Sequence, residues 1–335
     1  MADVVVLGSV NMDLVARVKR LPLPGETLTG THFASVPGGK GANQAVAAAR
    51  LGASTAFVGR VGRDELGRTL RSGLSKERVD VRSLFVSQQA PSGTALIAVA
   101  PYDNQIIVIP GANGEIDEED LARLTPYFDQ ASVLLLQFEI PLPIVEKAAA
   151  LAYQAGLTVI VDPAPVQEPL GADFCEYISI LTPNQSEAAL LTGQTVNDVE
   201  GAIAAAKTLH NQGIAVVIVK LGALGSVCVS AQGSFAVPAF PVQAIDTVAA
   251  GDAFNGGLAA ALSQHLGQHL GQPTFRADPL NEAAANDVLS DRTVLKSAID
   301  YASAVAALAV TQSGAQTAMP TRSQVDAFLQ TQAVI

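Results

Sequence analysis

The chain contains no tryptophan, two cysteines and four histidines, and its charge is sparse and lopsided, with 20 Lys and Arg against 31 Asp and Glu. These shortages exclude several functions. A formal net charge of −11 leaves no basic stripe to follow a phosphate backbone, so nucleic acid is not an expected partner, although a pocket for one small anion stays open. No apolar run is long enough to span a bilayer, and no membrane partner is expected. Cys175 and Cys228 stand in apolar segments without metal-ligand spacing. They read as reduced, buried filler, which suits a cytoplasmic setting. The start, MADVVVLGSV, has neither a basic opening nor a small-residue cleavage site, so no secretory leader is expected there.

What is abundant is apolar. Of the 335 residues, 49% are hydrophobic, enough to bury a large core, and a single domain over 1–335 is expected. Short β-branched runs recur at 4–8, 55–59, 132–139, 158–162, 177–182 and 216–220, interleaved with alanine-rich stretches of helical period at 41–52, 143–156, 198–213 and 293–314. That alternation predicts an α/β fold, with a mostly parallel central sheet covered by helices on both faces. In such sheets function gathers at the carboxyl ends of the strands.

Two segments, 12–35 and 93–110, break the rhythm, the second reading as two strands that turn around Asp103 and Asn104. Together they predict a small β-sheet lid outside the main sheet. Residues 263–292, with the tandem QHLGQHLGQ, read as a surface insertion between two helices. His265 and His269 have helical spacing, but glycine interrupts the segment and no third ligand is near, so a metal site is not expected.

Candidate chemistry sits at element ends. GSVNMDL sets Asn11 and Asp13 two apart, on one side of an extended chain, able to bind a polyol or to cap a turn. PGGKGANQA surrounds Lys40 with Gly38, Gly39 and Gly41 ahead of Asn43, as a backbone cradle or as a flexible turn before a helix; it lacks Walker A spacing. Glu139 ends SVLLLQFE just before Pro141, at the sheet's edge. Asn184 and Glu187, three apart at a helix start, form a capping box or place a carboxylate near a magnesium–phosphate complex. KLGALGS offers Lys220, Gly222 and Gly225 to a nucleotide, or simply turns a hairpin. In DTVAAGDAF, Ala249, Ala250 and Gly251 put bare N–H groups at a helix start with Asp252 in its first turn, which attracts an oxyanion beside a carboxylate.

In this order and spacing, GSVNMDL, PGGKGANQA, PNQSE and DTVAAGDAFNGGL make the chain resemble the ribokinase-like (PfkB) carbohydrate kinases over nearly its whole length. The resemblance implies ATP-dependent phosphorylation of a sugar hydroxyl, with D-ribose at its 5-hydroxyl as the expected acceptor. Asp252 is then the base, and the backbone of Ala249, Ala250, Gly251 and Asp252 the anion hole. By the same resemblance Asn11, Asp13, Gly39, Lys40, Gly41, Asn43 and Glu139, with Asp252, hold the sugar. ATP lies along Lys220, Gly222 and Gly225, with Asn184 near its phosphates, Glu187 on the magnesium shell and Gly251 at the transferred group. Ser303 stands where related enzymes often carry His or Asn near the nucleotide. A potassium ion is implied beside the anion hole, held by Asp246 and by carbonyls of Val248, Ala309, Gln312, Gly314 and Ala318. A homodimer through the lid is implied as well. The alternatives are a kinase of the same family for fructose, 2-deoxyribose or a nucleoside, and a sugar-binding sensor without chemistry. A nucleotide-dependent oxidoreductase, suggested by the α/β pattern alone, fails on the missing GxGxxG after the first strand.

Overall fold

The computed structural model describes residues 2–101, 103–270 and 288–332. The first part of the chain forms β1 (Val4–Leu7), β2 (Asn11–Arg17), β3 (His32–Gly38), α1 (Lys40–Arg50), β4 (Thr55–Gly62), α2 (Glu65–Lys76) and β5 (Leu84–Ser87). The middle forms β6 (Gly93–Ala100), β7 (Asp103–Ile109), α3 (Glu118–Leu124), β8 (Val133–Gln137), α4 (Leu142–Gln154), β9 (Thr158–Asp162), α5 (Ala172–Glu176), β10 (Ile180–Leu181) and α6 (Gln185–Thr192). The last part forms α7 (Val199–His210), β11 (Val216–Lys220), β12 (Ser226–Ser230), β13 (Gly233–Val237), α8 (Ala250–Leu270), α9 (Arg292–Ala309) and α10 (Arg322–Gln332).

The main sheet is nine-stranded, ordered β13-β12-β11-β10-β9-β8-β1-β4-β5, and all its pairs are parallel except the two that add β12 and β13 at one edge. Its strands read as unbroken apolar runs because both faces are covered. Along β1, Val4 and Val6 enter one core while Val5 and Leu7 enter the other; β8 divides in the same way, with Val133 and Leu135 opposed to Leu134 and Leu136. The first core is closed by α1, α2, α8, α9 and α10, the second by α3 to α7. The expected doubly covered α/β sheet is therefore present.

α8 lies against both α1 and α9, and its glycines make this approach possible. A Cβ on Gly256 would stand 2.4 Å from the Ala47 Cβ, and one on Gly257 would stand 3.0 Å from Val305 Cγ2. This packing brings the N-terminus of α8 to the N-terminus of α1.

β2, β3, β6 and β7 form a separate four-stranded sheet, ordered β3-β2-β6-β7, from the two segments expected to leave the main sheet. The β6–β7 turn comes earlier than expected. Ala100 already pairs with Asp103, so Asp103 and Asn104 stand in the strand.

The 263–292 insertion is also revised at its start. α8 continues to Leu270 with Gly267 inside it, and Leu266, only 1% exposed, packs into the first core. An interior glycine costs a helix about 1 kcal/mol, which burial of one leucine offsets. Residues 271–287 of that segment lie outside the described residues. No helix among the described residues is long and apolar enough to cross a membrane.

Candidate active site at the carboxyl edge of the sheet

Parallel register brings the last residues of successive strands together. Gln137 at the end of β8 pairs with Asp162 at the end of β9, and Lys220 ends β11. The Lys220 N–H donates to the Pro183 carbonyl at 2.9 Å, and an isolated bridge joins Lys220 to Asn184. β1 lies between β4 and β8, so the chain order reverses there and a crevice opens at the strand ends.

Asp252, in the first turn of α8, enters this crevice and is buried. Asn43 Nδ2 donates to its Oδ2 at 2.9 Å and Gln44 Nε2 to its Oδ1 at 3.1 Å. The same Gln44 nitrogen lies 3.0 Å from Asp162 Oδ2, while Gln44 Oε1 accepts from Gln137 Nε2 at 2.7 Å. Asp162 Oδ1 accepts from Lys220 Nζ at 2.9 Å in a nearly buried ion pair. Deleting one partner of such a pair typically costs about 3–5 kcal/mol, because the other charge is left buried. Burial pushes the Asp252 carboxyl up to about 6 despite Lys40 and the two amides. A helix N-terminus alone would favour the ionised form; here desolvation outweighs it.

The residues expected to hold a sugar surround Asp252. Asn11 and Asp13 lie in β2, Asn11 buried with its Oδ1 accepting from Asn113 Nδ2 at 2.7 Å. Asp13 is pushed up to about 7 by burial and by the charges of Glu139 and Asp252. Burial lowers the Lys40 ammonium, but the carboxylates of Asp252, Asp162, Glu139 and Glu187 more than reverse this and hold it above its usual range. Glu139 lies two residues past the end of β8, and its Oε2 accepts from Ser9 Oγ at 2.5 Å and from the Lys40 N–H at 3.1 Å. It therefore caps the start of α1. Gly39 and Gly41 serve the chain before any ligand. A Cβ on either would come within 3 Å of the backbone at residues 8–11, and Gly39 has φ 89°.

At the start of α8, Ala249 has φ 59°, Ala250 N–H donates weakly to the Thr247 carbonyl at 3.3 Å, and Ala253 N–H donates to Ala249. The N–H groups of Gly251 and Asp252 come before Ala253, the first intrahelical donor, and so remain for an anion. A Cβ on Gly251 would stand 3.3 Å from Lys220 Nζ, so the ammonium lies against this terminus. Asn184 and Glu187 do form a reciprocal capping box, at 2.7 and 2.9 Å. The Glu187 carboxyl is raised, by burial and then by the charge of Asp162. Gly222 and Gly225 turn the β11–β12 hairpin, and a Cβ on Gly225 would strike the Val237 carbonyl at 2.0 Å. Ser303 lies half-buried in α9, and none of the hydrogen bonds named above reaches it.

Asp246 ties two loops together. Its Oδ1 accepts from the Val248 N–H and its Oδ2 from the Gly314 N–H, each at 3.0 Å. Ala309 ends α9, and Gln312 and Ala318 follow in the same late loop, Gln312 N–H donating to the Ala309 carbonyl at 3.1 Å. A cavity of about 400 Å³ opens beside Glu139, lined by Val108, Phe138, Ile140 and Pro165; it does not include Asp13, Asn43 or Asp252.

Ser9, Gln44, Asn113, Gln137 and Asp162 are absent from the sequence reading. Gln44 lies inside the PGGKGANQA motif, and Gln137 and Asp162 end buried strands, the same signal that singles out Glu139. Ser9 lies inside GSVNMDL in the same way, and only Asn113 carries no such mark.

A carboxylate and a bare helix N-terminus at the carboxyl edge of an open α/β sheet define an enzyme class that handles phosphorylated small molecules. The family model described as pfkB family carbohydrate kinase matches residues 1–322, and the chain belongs to that family. It is 40% identical over 327 residues to a ribokinase of Haemophilus influenzae, covering 97% of each chain. It is 34% identical over 255 residues to a deoxyribokinase of Salmonella typhi, covering 76% of this chain and 83% of that one. Among solved structures it is similar to an Arabidopsis thaliana ribokinase complexed with ribose and ATP, with a TM-score of 0.83 and 29% identity, over 98% of this chain and 99% of that one.

Proposed function

We propose that the chain phosphorylates D-ribose at its 5-hydroxyl with ATP, giving ribose 5-phosphate and ADP. The observation that carries this reading is the placement of a buried, doubly hydrogen-bonded Asp252 in the same helical turn as the open N–H groups of Gly251 and Asp252. Both similar ribokinases, one of them complexed with ribose and ATP, support the choice of sugar and phosphoryl donor. Asn11, Asp13, Lys40, Asn43 and Glu139 hold the neutral sugar, with the backbone of Gly39 and Gly41. Carboxylates and amides in this number suit a ligand rich in hydroxyls and discriminate against an analogue lacking one.

Asp252 takes the proton of the attacking hydroxyl. The oxygen bonds to the γ-phosphorus, the bond to the β-phosphate oxygen breaks, and its electron pair leaves with ADP. The transition state of such a transfer is loose, so positioning and charge stabilisation matter more than base strength. The Gly251 and Asp252 N–H groups receive the transferred phosphoryl oxygens, with Ala249 and Ala250 shaping the turn. ATP runs along Lys220, Gly222 and Gly225 toward Ser303, with Asn184 near its phosphates.

Among the described residues no group of three or more His, Cys, Asp and Glu is arranged to hold a metal, which fits a magnesium ion that arrives with the nucleotide. When bound, it neutralises phosphate charge. Glu187 is the residue that would hold it, by orienting its water shell. Asp246 and the carbonyls of Val248, Ala309, Gln312, Gly314 and Ala318 offer only oxygen donors, a set that fits potassium, and exchanging potassium for a bulky quaternary ammonium should lower turnover.

The small sheet acts as a lid and as the interface of a homodimer. β7 is an edge strand with Ile106 and Ile107 exposed on opposite faces, followed by Val108 and Ile109. A long apolar edge of this kind is normally covered. Two buried free thiols and an ATP substrate suit the cytoplasm.

A second reading is favoured by the similar deoxyribokinase, with 2-deoxyribose as acceptor. ADP release from MgATP with ribose, 2-deoxyribose, fructose and adenosine tests both. Ribose-dependent turnover well above the rest supports the proposal, a different preferred acceptor moves the specificity, and ribose binding without ADP release identifies a sensor.

A further inference from the structure

The hydrogen bonds of the crevice form one connected chain, from Lys220 through Asp162 and Gln44 to Asp252. Each link is fixed at its far side as well. Lys220 is anchored through its backbone to Pro183, Gln44 through its carbonyl to Gln137, and Asp252 through its second oxygen to Asn43. Asp162, Gln44 and Asp252 are buried, so bulk solvent screens their links little. One end is the base. The other end is an ammonium that lies against Gly251, at the helix terminus where the transferred group is received.

We propose that Lys220 is a further catalytic residue, the cation that meets the transferred phosphoryl group, and that Asp162 and Gln44 are positioning residues that hold this cation and Asp252 in fixed relation. The proposal rests on the kinase reading and gives Lys220 a role beyond lining the nucleotide. Charge gathers on the transferred group's equatorial oxygens and on the leaving oxygen as the bond to ADP breaks, and a preorganised cation there acts without reorganisation. Asp162 keeps the flexible lysine in place. Gln44, spending one N–H on each carboxylate, sets the distance between the two functions.

The test uses the full chain and reads kcat, KM and directly measured ribose affinity for three variants. Lys220→Met should lower kcat by roughly 10²–10³ with ribose affinity unchanged. Lys220→Met combined with Asp162→Asn removes the buried unpaired carboxylate, which protects the fold, and should stay as slow as the single variant. Gln44→Met should lower kcat by roughly tenfold, again without changing ribose affinity. Affinity for MgADP with aluminium fluoride and ribose, a mimic of the transfer, should fall in Lys220→Met while affinity for MgADP alone is kept. Near-normal kcat in Lys220→Met, or recovery of kcat in the double variant, would overturn the proposal, because the lysine would then serve only to neutralise Asp162. Failure of the kinase reading shows differently, as an unaltered chain that releases no ADP with any acceptor.

Discussion

Asn43 Nδ2 lies 2.9 Å from Asp252 Oδ2, across 209 positions of sequence. With Gln44 on the other carboxylate oxygen, adjacent residues near the start of α1 hold both oxygens of a residue in the first turn of α8. Two helix N-termini are thus locked face to face, and the sugar residues around α1 are set against the anion-binding turn of α8.

If Asp252 is the base, Asp252→Asn should reduce kcat by roughly 10²–10⁴ while ribose affinity changes little. The amide keeps the shape of the carboxylate but cannot take the proton. Steady-state rates and calorimetric ribose titration check it, and near-normal turnover would remove Asp252 from the role.

Burial raises both Asp252, to about 6, and Asp13, to about 7. Each must be ionised in the proposed chemistry, so kcat/KM for ribose should fall as pH drops through 7 toward 6. A pH–rate profile with its acid limb near 4 would contradict this.

The same shift acts on stability with a definite sign. A carboxyl whose folded pKa lies above its unfolded one binds more protons when folded, so its contribution weakens folding as pH rises from about 4 to about 7. Asp13→Asn should therefore raise Tm at pH 8 by roughly 2–4 °C, with a smaller gain at pH 4. Ribose binding should weaken in the same variant. Thermal melts at both pH values decide it.

Gly251→Ala would put a methyl group 3.3 Å from Lys220 Nζ, at the mouth of the proposed anion hole. The lysine can shift, so folding should be kept while kcat falls by roughly 10². Unchanged kcat would place phosphoryl transfer elsewhere.

Ile107, 62% exposed on the edge strand β7, lies on the proposed dimer surface. Ile107→Lys should convert the dimer to monomers with the same circular dichroism. Sedimentation velocity checks it, and an unaltered chain that sediments as a monomer at assay concentration would refute the interface.

Much of this architecture is legible in the sequence. The strands at 4–7, 158–162 and 216–220 coincide with unbroken β-branched runs because both faces of a parallel sheet are buried, and the helices between them end close to where their alanine-rich period ends. The Asn184 and Glu187 capping box is readable from three-residue spacing, since both groups belong to one helical turn. The β6–β7 turn is misplaced toward the polar pair Asp103 and Asn104 because strand register, set by pairing with a partner, outweighs local turn preference there.

By itself, then, the sequence determined the α/β alternation, the helix starts and the motif residues, all of which follow from interactions within a few positions along the chain. Only the tertiary structure decided that Gln44 joins Asp162 to Asp252, over separations of 118 and 208 positions, and that Lys220 reaches Asp162 over 58. It alone also decided that Asp252 is buried and its pKa raised. Contacts of that range leave no period in the sequence. They arise when parallel strands end in register and α8, allowed by Gly256 to press against α1, carries its carboxylate into the crevice.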